Sequence, residues 1–108
     1  MSASGPAPRL EAAIQHPSRL ALVSFLSGCA EADFKTVRDR LSLSDSALSK
    51  AVSTLEAEGM VKVRKGHVGK RPRTWASLTF DGRKRLASHL AALQHIAEQA
   101  RSQGSEAE

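Results

Sequence analysis

LSLSDSALSKAVSTLEAEG, residues 41 to 59, decides how the rest of the chain is read. Ser44 suits a helix N-cap, because its hydroxyl can accept from the free backbone N–H groups of the first turn, and Asp45 puts a carboxylate where the helix dipole is positive. Leu48, Ala51, Val52 and Leu55 then fall at i, i+3, i+4 and i+7 and make one apolar stripe. Ser46, Ser49, Lys50 and Ser53 point away from it. Gly59 supplies the left-handed residue on which such a helix ends, and Met60 and Val61 resume as extended chain. The spacing predicts a helix over 44–58, buried on one side and open on the other.

Upstream, Phe34 to Leu41 reads as another helix, with Asp33 as its N-cap and Val37 and Leu41 directed at the core. Only Ser42, Leu43 and Ser44 separate the two, which is the spacing of a helix-turn-helix with 44–58 as the second member. Further back, Pro17 to Ser27 carries Leu20, Leu22, Val23, Phe25 and Leu26 and is apolar nearly all round, so it belongs at the centre. Gly28 ends it, and Glu31 to Asp33 leaves room for a very short strand or turn. His16-Pro17 interrupts the chain before it. A short helix after Pro8 would put Leu10, Ala13 and Ile14 on one face, and residues 1–8 read as a disordered leader.

Downstream the periodicity changes from helical to alternating. Val61 and Val63 face one way, Lys62 and Arg64 the other, and Thr74 to Thr79 returns as a second strand. Residues 60–79 therefore predict a β-hairpin, with GHVGKRP as a floppy basic tip. Trp75 has no second aromatic beside it and reads as a packing residue. Thr79 then caps a final helix with Asp81 in its first turn, expected to run to residue 102, with 103–108 as a tail. Leu86, Leu90, Leu93, Ala97 and Ala100 are spaced 4, 3, 4, 3 along that helix, and Ile96 widens the stripe. So long a seam exceeds what a small core can cover, so a second chain is the expected cover. Leu10, Ile14, Leu86, Leu90, Leu93, Ile96 and Ala97 are the expected contacts between two copies. The domains read as 9–79 for the helix-turn-helix and hairpin, and 80–102 for the dimerisation helix.

Composition limits the function classes. The 108 residues suit one domain, and 41% hydrophobic with 25% charged residues is ordinary for a soluble globular protein. No apolar run is long enough to span a membrane, and MSASGPAP lacks the pattern of a secretory signal, so a cytoplasmic protein is expected. A lone Cys29 excludes an intrachain disulfide, and with nothing basic beside it in sequence it reads as a small buried thiol rather than a redox sensor. His89 and His95 lie six apart on one helix, and His16 and His67 have no partner nearby in sequence, so neither metal nor cofactor is expected. The Ser, His, Asp and Glu residues are scattered over caps and surfaces, and no phosphate-binding glycine loop appears; the reading is not that of an enzyme.

Charge points to a partner. From Lys62 to Arg85 there are nine basic residues against one acid, a local charge of +8, while the remainder carries −3. A segment so positive predicts a polyanion, and duplex DNA fits the helix beside it. Serine hydroxyls meet many base edges, and Ala47 suits a thymine methyl. Ser46, Ala47, Ser49, Lys50 and Ser53 are thus the expected major-groove residues, with Ser44 a further DNA contact, although the same residues also suit an inert surface. Lys65, Lys70, Arg71 and Arg73 are the expected phosphate contacts, with Arg71 or Arg73 entering a narrow minor groove. Arg83 to Arg85 read as plain helix surface.

Three blocks carry a family resemblance: HPSRLALVSFL at 16–26, FKTVRDRLSLSDSALSKAVSTLEAEGMV at 34–61, and RPRTWASLTFDGR at 71–83. Together they resemble small winged helix-turn-helix transcriptional regulators of the MarR and ArsR type. The resemblance implies a mainly α fold with a small β-hairpin and a C-terminal dimerisation helix. It also implies a homodimer on a pseudo-palindromic operator, with 44–58 in the major groove and the wing, 64–73, on the backbone or in the minor groove. Ser42 stands where glycine is common, and Phe80 where proline often begins the last helix. The recognition region has no cysteine pair, so the metal sensing of some ArsR-type proteins does not carry over. Two alternatives share the fold: a winged-helix protein-interaction module and a nonspecific chromatin-like binder. No residue pattern identifies a small-molecule effector.

Overall fold

The computed structural model describes residues 7–107, with side chains through residue 104. Most of the expected leader, residues 1–6, lies outside the described residues, as does Glu108. The elements are a 3₁₀ turn at Ala12–Ile14, α1 at Pro17–Ser27, β1 at Ala32–Asp33, α2 at Phe34–Leu41, α3 at Asp45–Ala57, β2 at Val61–Val68, β3 at Arg71–Leu78 and α4 at Phe80–Ala107. The three strands form an antiparallel sheet in the order β1-β3-β2. This is the expected mainly α architecture with a hairpin and a long last helix.

Local chemistry explains the boundaries. Asp33 accepts from the Thr36 N–H at 2.8 Å and opens α2, and the Ser44 hydroxyl accepts from the Ala47 N–H at 3.1 Å and opens α3. Between them Ser42 takes φ 55° and ψ 44°, the left-handed conformation for which glycine is usually selected. Gly59, at φ 76°, closes α3 while the N–H groups of Gly59 and Met60 return to the carbonyls of Glu56 and Leu55. The apolar stripe of α3 is buried as the spacing predicted: Leu48, Ala51, Val52 and Leu55 join Leu22, Val23 and Leu26 of α1, Val37 of α2, and Val61, Ala76 and Leu78 of the sheet.

Four expectations are corrected. The chain after Pro8 is not a helix, because its N–H groups bond to α4 instead: Arg9 donates to the Ser88 Oγ at 2.8 Å and Glu11 to the His89 Nδ1 at 2.9 Å. This strap leaves only the 3₁₀ turn. It drives Ile14 into the core with no exposed surface, so Ile14 is not a contact between copies; Leu86, at 5% exposure, is core as well. GHVGKRP is not an unpaired tip, since β2 and β3 stay in register out to Val68 and Arg71 and turn on Gly69-Lys70 alone, with Gly69 at φ 63°. Gly66 lies inside the strand because the Trp75 ring packs where its side chain would be, and Pro72 is tolerated where β3 has run past β1 and become an edge. Finally, α4 passes residue 102 and continues to Ala107.

Candidate nucleic-acid interface

α3 presents Ser46, Ser49, Lys50 and Ser53 to solvent, with Ala47 half-buried. Ser44 is exposed too, but its hydroxyl is already engaged as the cap of α3. The polar face and the buried stripe are two sides of one cylinder, so α3 is held rigidly by what it buries while its outer side stays open.

The wing cations divide into two groups. Lys65, Lys70 and Arg71 are exposed and make no ion pair among the described residues. The others are already engaged. Arg73 reaches the Asp33 carboxylate at 3.3 Å. Arg64 donates twice to Glu31, at 2.9 and 2.7 Å, while its guanidinium lies 3.9 Å from the centre of the Trp75 ring. Hydrogen bonding from Arg64 holds the Glu31 carboxyl below its ordinary pKa, and bonding from Thr36, with Arg73 nearby, does the same for Asp33. The pairing of β3 with β2 puts Arg71, Arg73 and Trp75 on one face of the ribbon and Lys65 and His67 on the other. Between the wing, α2 and the start of α3 lies an open cleft of about 530 Å³, lined among others by Asp33, Arg38, Asp45, Ser49, Arg71 and Arg73.

Arg83 and Arg85 are not plain surface. Arg83 donates to the carbonyls of Ser27 and Cys29, each at 3.1 Å, and ties α4 to the end of α1. Arg85 makes a two-pronged bond to Glu11 at 2.9 and 2.7 Å, and reaches the Glu58 carboxylate at 2.9 Å, the Glu58 carbonyl at 2.7 Å and Asp81 at 3.2 Å. Glu11 is accordingly held below the usual carboxylate pKa, first by its bond to Arg85, and the Arg85 guanidinium is held still more firmly in its charged form. In the sequence only Asp81, four residues before Arg85, hints at this; Glu11 lies 74 residues away. The +8 of the basic segment therefore overstates the charge free to meet a polyanion.

Of the remaining residues expected between two copies, Leu10, Leu90, Leu93 and Ile96 are 44, 45, 40 and 50% exposed, and Ala97 is exposed beside them. Leu10 borders two shallow apolar grooves along α4, one reaching Ile96 and the other Leu93. His89 is buried, with its Nδ1 taken by the strap. Among the described residues no three His, Cys, Asp or Glu side chains are grouped as metal ligands, and no helix is long and apolar enough to cross a membrane.

Residues 18–97 match a family described as winged helix DNA-binding domain. The chain belongs to that family. Among solved winged-helix structures, the transcriptional regulator homologue from Pyrococcus horikoshii OT3 is similar at 27% identity and a TM-score of 0.78, over 83% of this chain and 89% of that one. A MarR family transcriptional regulator from Silicibacter pomeroyi DSS shares 26% identity with a TM-score of 0.62, over 76% of this chain but 54% of its own. YusO from Bacillus subtilis, at 21% identity and a TM-score of 0.68, shares the fold over 80% of this chain and 60% of its own. No curated protein matches the chain. The winged helix of this chain is thus of the kind found in MarR-type transcriptional regulators.

Proposed function

We propose that this winged helix protein is a sequence-specific transcriptional regulator that binds duplex DNA as a homodimer. The observation that carries the reading is the open polar side of α3 standing beside a fully paired wing whose outer cations, Lys65, Lys70 and Arg71, have no carboxylate to hold them among the described residues. In this reading α3 enters the major groove, where Ser46, Ala47, Ser49, Lys50 and Ser53 choose sequence, and Ser44 and the wing contact the backbone. Arg71 is the wing residue best suited to a narrow minor groove. Two copies pair through Leu10, Leu90, Leu93, Ile96 and Ala97, and the place of action is the cytoplasm. No catalytic step and no cofactor are part of the reading.

Three cations per protomer give about six phosphate contacts per dimer, so log K should fall against log salt with a slope near −5. Selection of bound sites from a random duplex pool, followed by competition between the selected site and random DNA across salt concentrations, tests the proposal. A preferred sequence whose identity changes in Ser49→Ala or Lys50→Ala supports it. Salt-dependent binding with no preferred sequence would instead make the protein a chromatin-like binder, and no duplex binding at all would leave the protein-interaction module.

A further inference from the structure

The cleft between wing and recognition helix holds two arginines that are each spoken for by a carboxylate. Arg73 Nη1 meets Asp33 at 3.3 Å, and Arg38 Nη1 meets Asp45 at 2.8 Å while its Nε meets the neighbouring Asp39 at 3.1 Å. Both arginines remain reachable from solvent: their side chains are 40 and 31% exposed, against 16% for Asp33 and 83% for Asp45. The two acids sit at functional positions of the fold, Asp33 at the N-cap of α2 and Asp45 in the first turn of α3. Carboxylates on a surface meant for a polyanion oppose binding unless they serve another purpose. Arg64, held on the wing itself, is different, because Trp75 stacks on it and two bonds fix it to Glu31.

Resting on the DNA-binding reading, we infer that Asp33 and Asp45 are specificity-determining residues: they withhold Arg73 and Arg38 from backbone phosphate until the duplex is in register. A phosphate displaces the carboxylate only where it is brought to contact distance and kept there. In a nonspecific complex the backbone is loosely held and hydrated, and the ion pairs persist. When base contacts from α3 fix the register, the phosphates beside the cleft are fixed too, and both arginines change partner. Two phosphate contacts per protomer thereby become conditional on sequence, although neither arginine touches a base. Since nonspecific binding consists almost wholly of phosphate contacts, withholding two of them weakens it selectively.

Asparagine caps a helix as well as aspartate, so Asp33→Asn keeps the bond to the Thr36 N–H while removing the charge that holds Arg73. In Asp45→Asn, Ser44 remains the cap of α3, and Asp39→Asn is added to it so that Arg38 loses both of its carboxylates. Binding of the full-length protein to a site selected by the wild type and to a random duplex, each across a salt series, measures the effect. Wild type is expected to show the steeper slope on the selected site. In the variants the random-duplex slope steepens by about 0.9 per released arginine, random-duplex affinity rises roughly five-fold per contact at 0.15 M salt, and the two slopes converge. The gain from Asp33→Asn disappears in an Arg73→Ala background. An unchanged random-duplex slope, or a gain that persists without Arg73 and so reflects simple charge removal, overturns the inference while leaving the DNA-binding reading intact. A wild type that binds no duplex, or selects no site, overturns both.

Discussion

Lys70 and Arg71 differ from Arg64, Arg73 and Arg85 in one respect that composition hides: no carboxylate shares their charge among the described residues. Replacing both with alanine removes about four of the six expected phosphate contacts of a dimer. On random duplex the salt slope should shrink from near −5 to near −2, with affinity falling by a similar factor on all sequences, as fluorescence anisotropy at several salt concentrations would reveal. Glu11 gives a prediction of another kind. Its folded-state pKa lies below the ordinary 4.5, so its bond to Arg85 contributes stability above pH 4.5 that is lost as pH falls through the lowered value. Thermal melts between pH 6 and 3 should show a drop that is smaller in Glu11→Gln, where Glu31 and Asp33 still contribute theirs. At this scale the sequence was legible for the sides of α3, because a 3.6-residue period separates Leu48 from Ser49. It was silent on Arg73 and Arg85, because an ion pair to Asp33 or Glu11 depends on the tertiary fold and leaves no local pattern.

Elements with both a capping residue and a period were read correctly: Ser44 and Gly59 bracket α3, and Asp33 opens α2. The misreadings fell where a residue's usual meaning was reversed by a neighbour. Gly66 and Pro72 look like loop, yet the Trp75 ring occupies the space beside one and the edge of β3 accommodates the other. Leu10, Ala13 and Ile14 look like a helix face, but the backbone around them found better partners on α4. The junction of α3, wing and α4 is tighter than any spacing suggests. Thr79 donates through its hydroxyl to the Gly59 carbonyl at 2.6 Å, its N–H reaches the Met60 carbonyl at 3.0 Å, and the Gly82 N–H bonds back to the Thr79 hydroxyl at 2.9 Å. A Cβ on Gly82 would come within 2.2 Å of the Met60 carbonyl oxygen. Gly82→Ala should therefore cost about 3 kcal/mol, measurable by urea unfolding, because backbone rather than a flexible side chain must yield. Unchanged stability would mean that α4 enters by another path.

Across the whole molecule, α4 contributes its first turns to the core through Gly82, Leu86, His89 and Ala92 and then runs on with Leu93 and Ile96 uncovered. The heptad spacing announced this length of apolar surface, but not that Leu86 would be claimed by the core before a partner could reach it. Leu90→Lys with Leu93→Lys should give monomers in sedimentation, since each buried leucine contributes roughly 1.5 to 3 kcal/mol, with operator affinity falling as the second reading head is lost. An intact dimer in that experiment would move the interface elsewhere. The strap that replaced the expected first helix bears on how the chain tolerates being cut. Its Glu11 closes off the His89 ring nitrogen with a backbone N–H and satisfies two prongs of Arg85, which in turn grips the last carbonyl beyond α3. A cut after Glu11 would unplug a histidine and strip a guanidinium of its best anchor in one stroke, so the short strap braces the far end of α3 from the opposite end of the sequence.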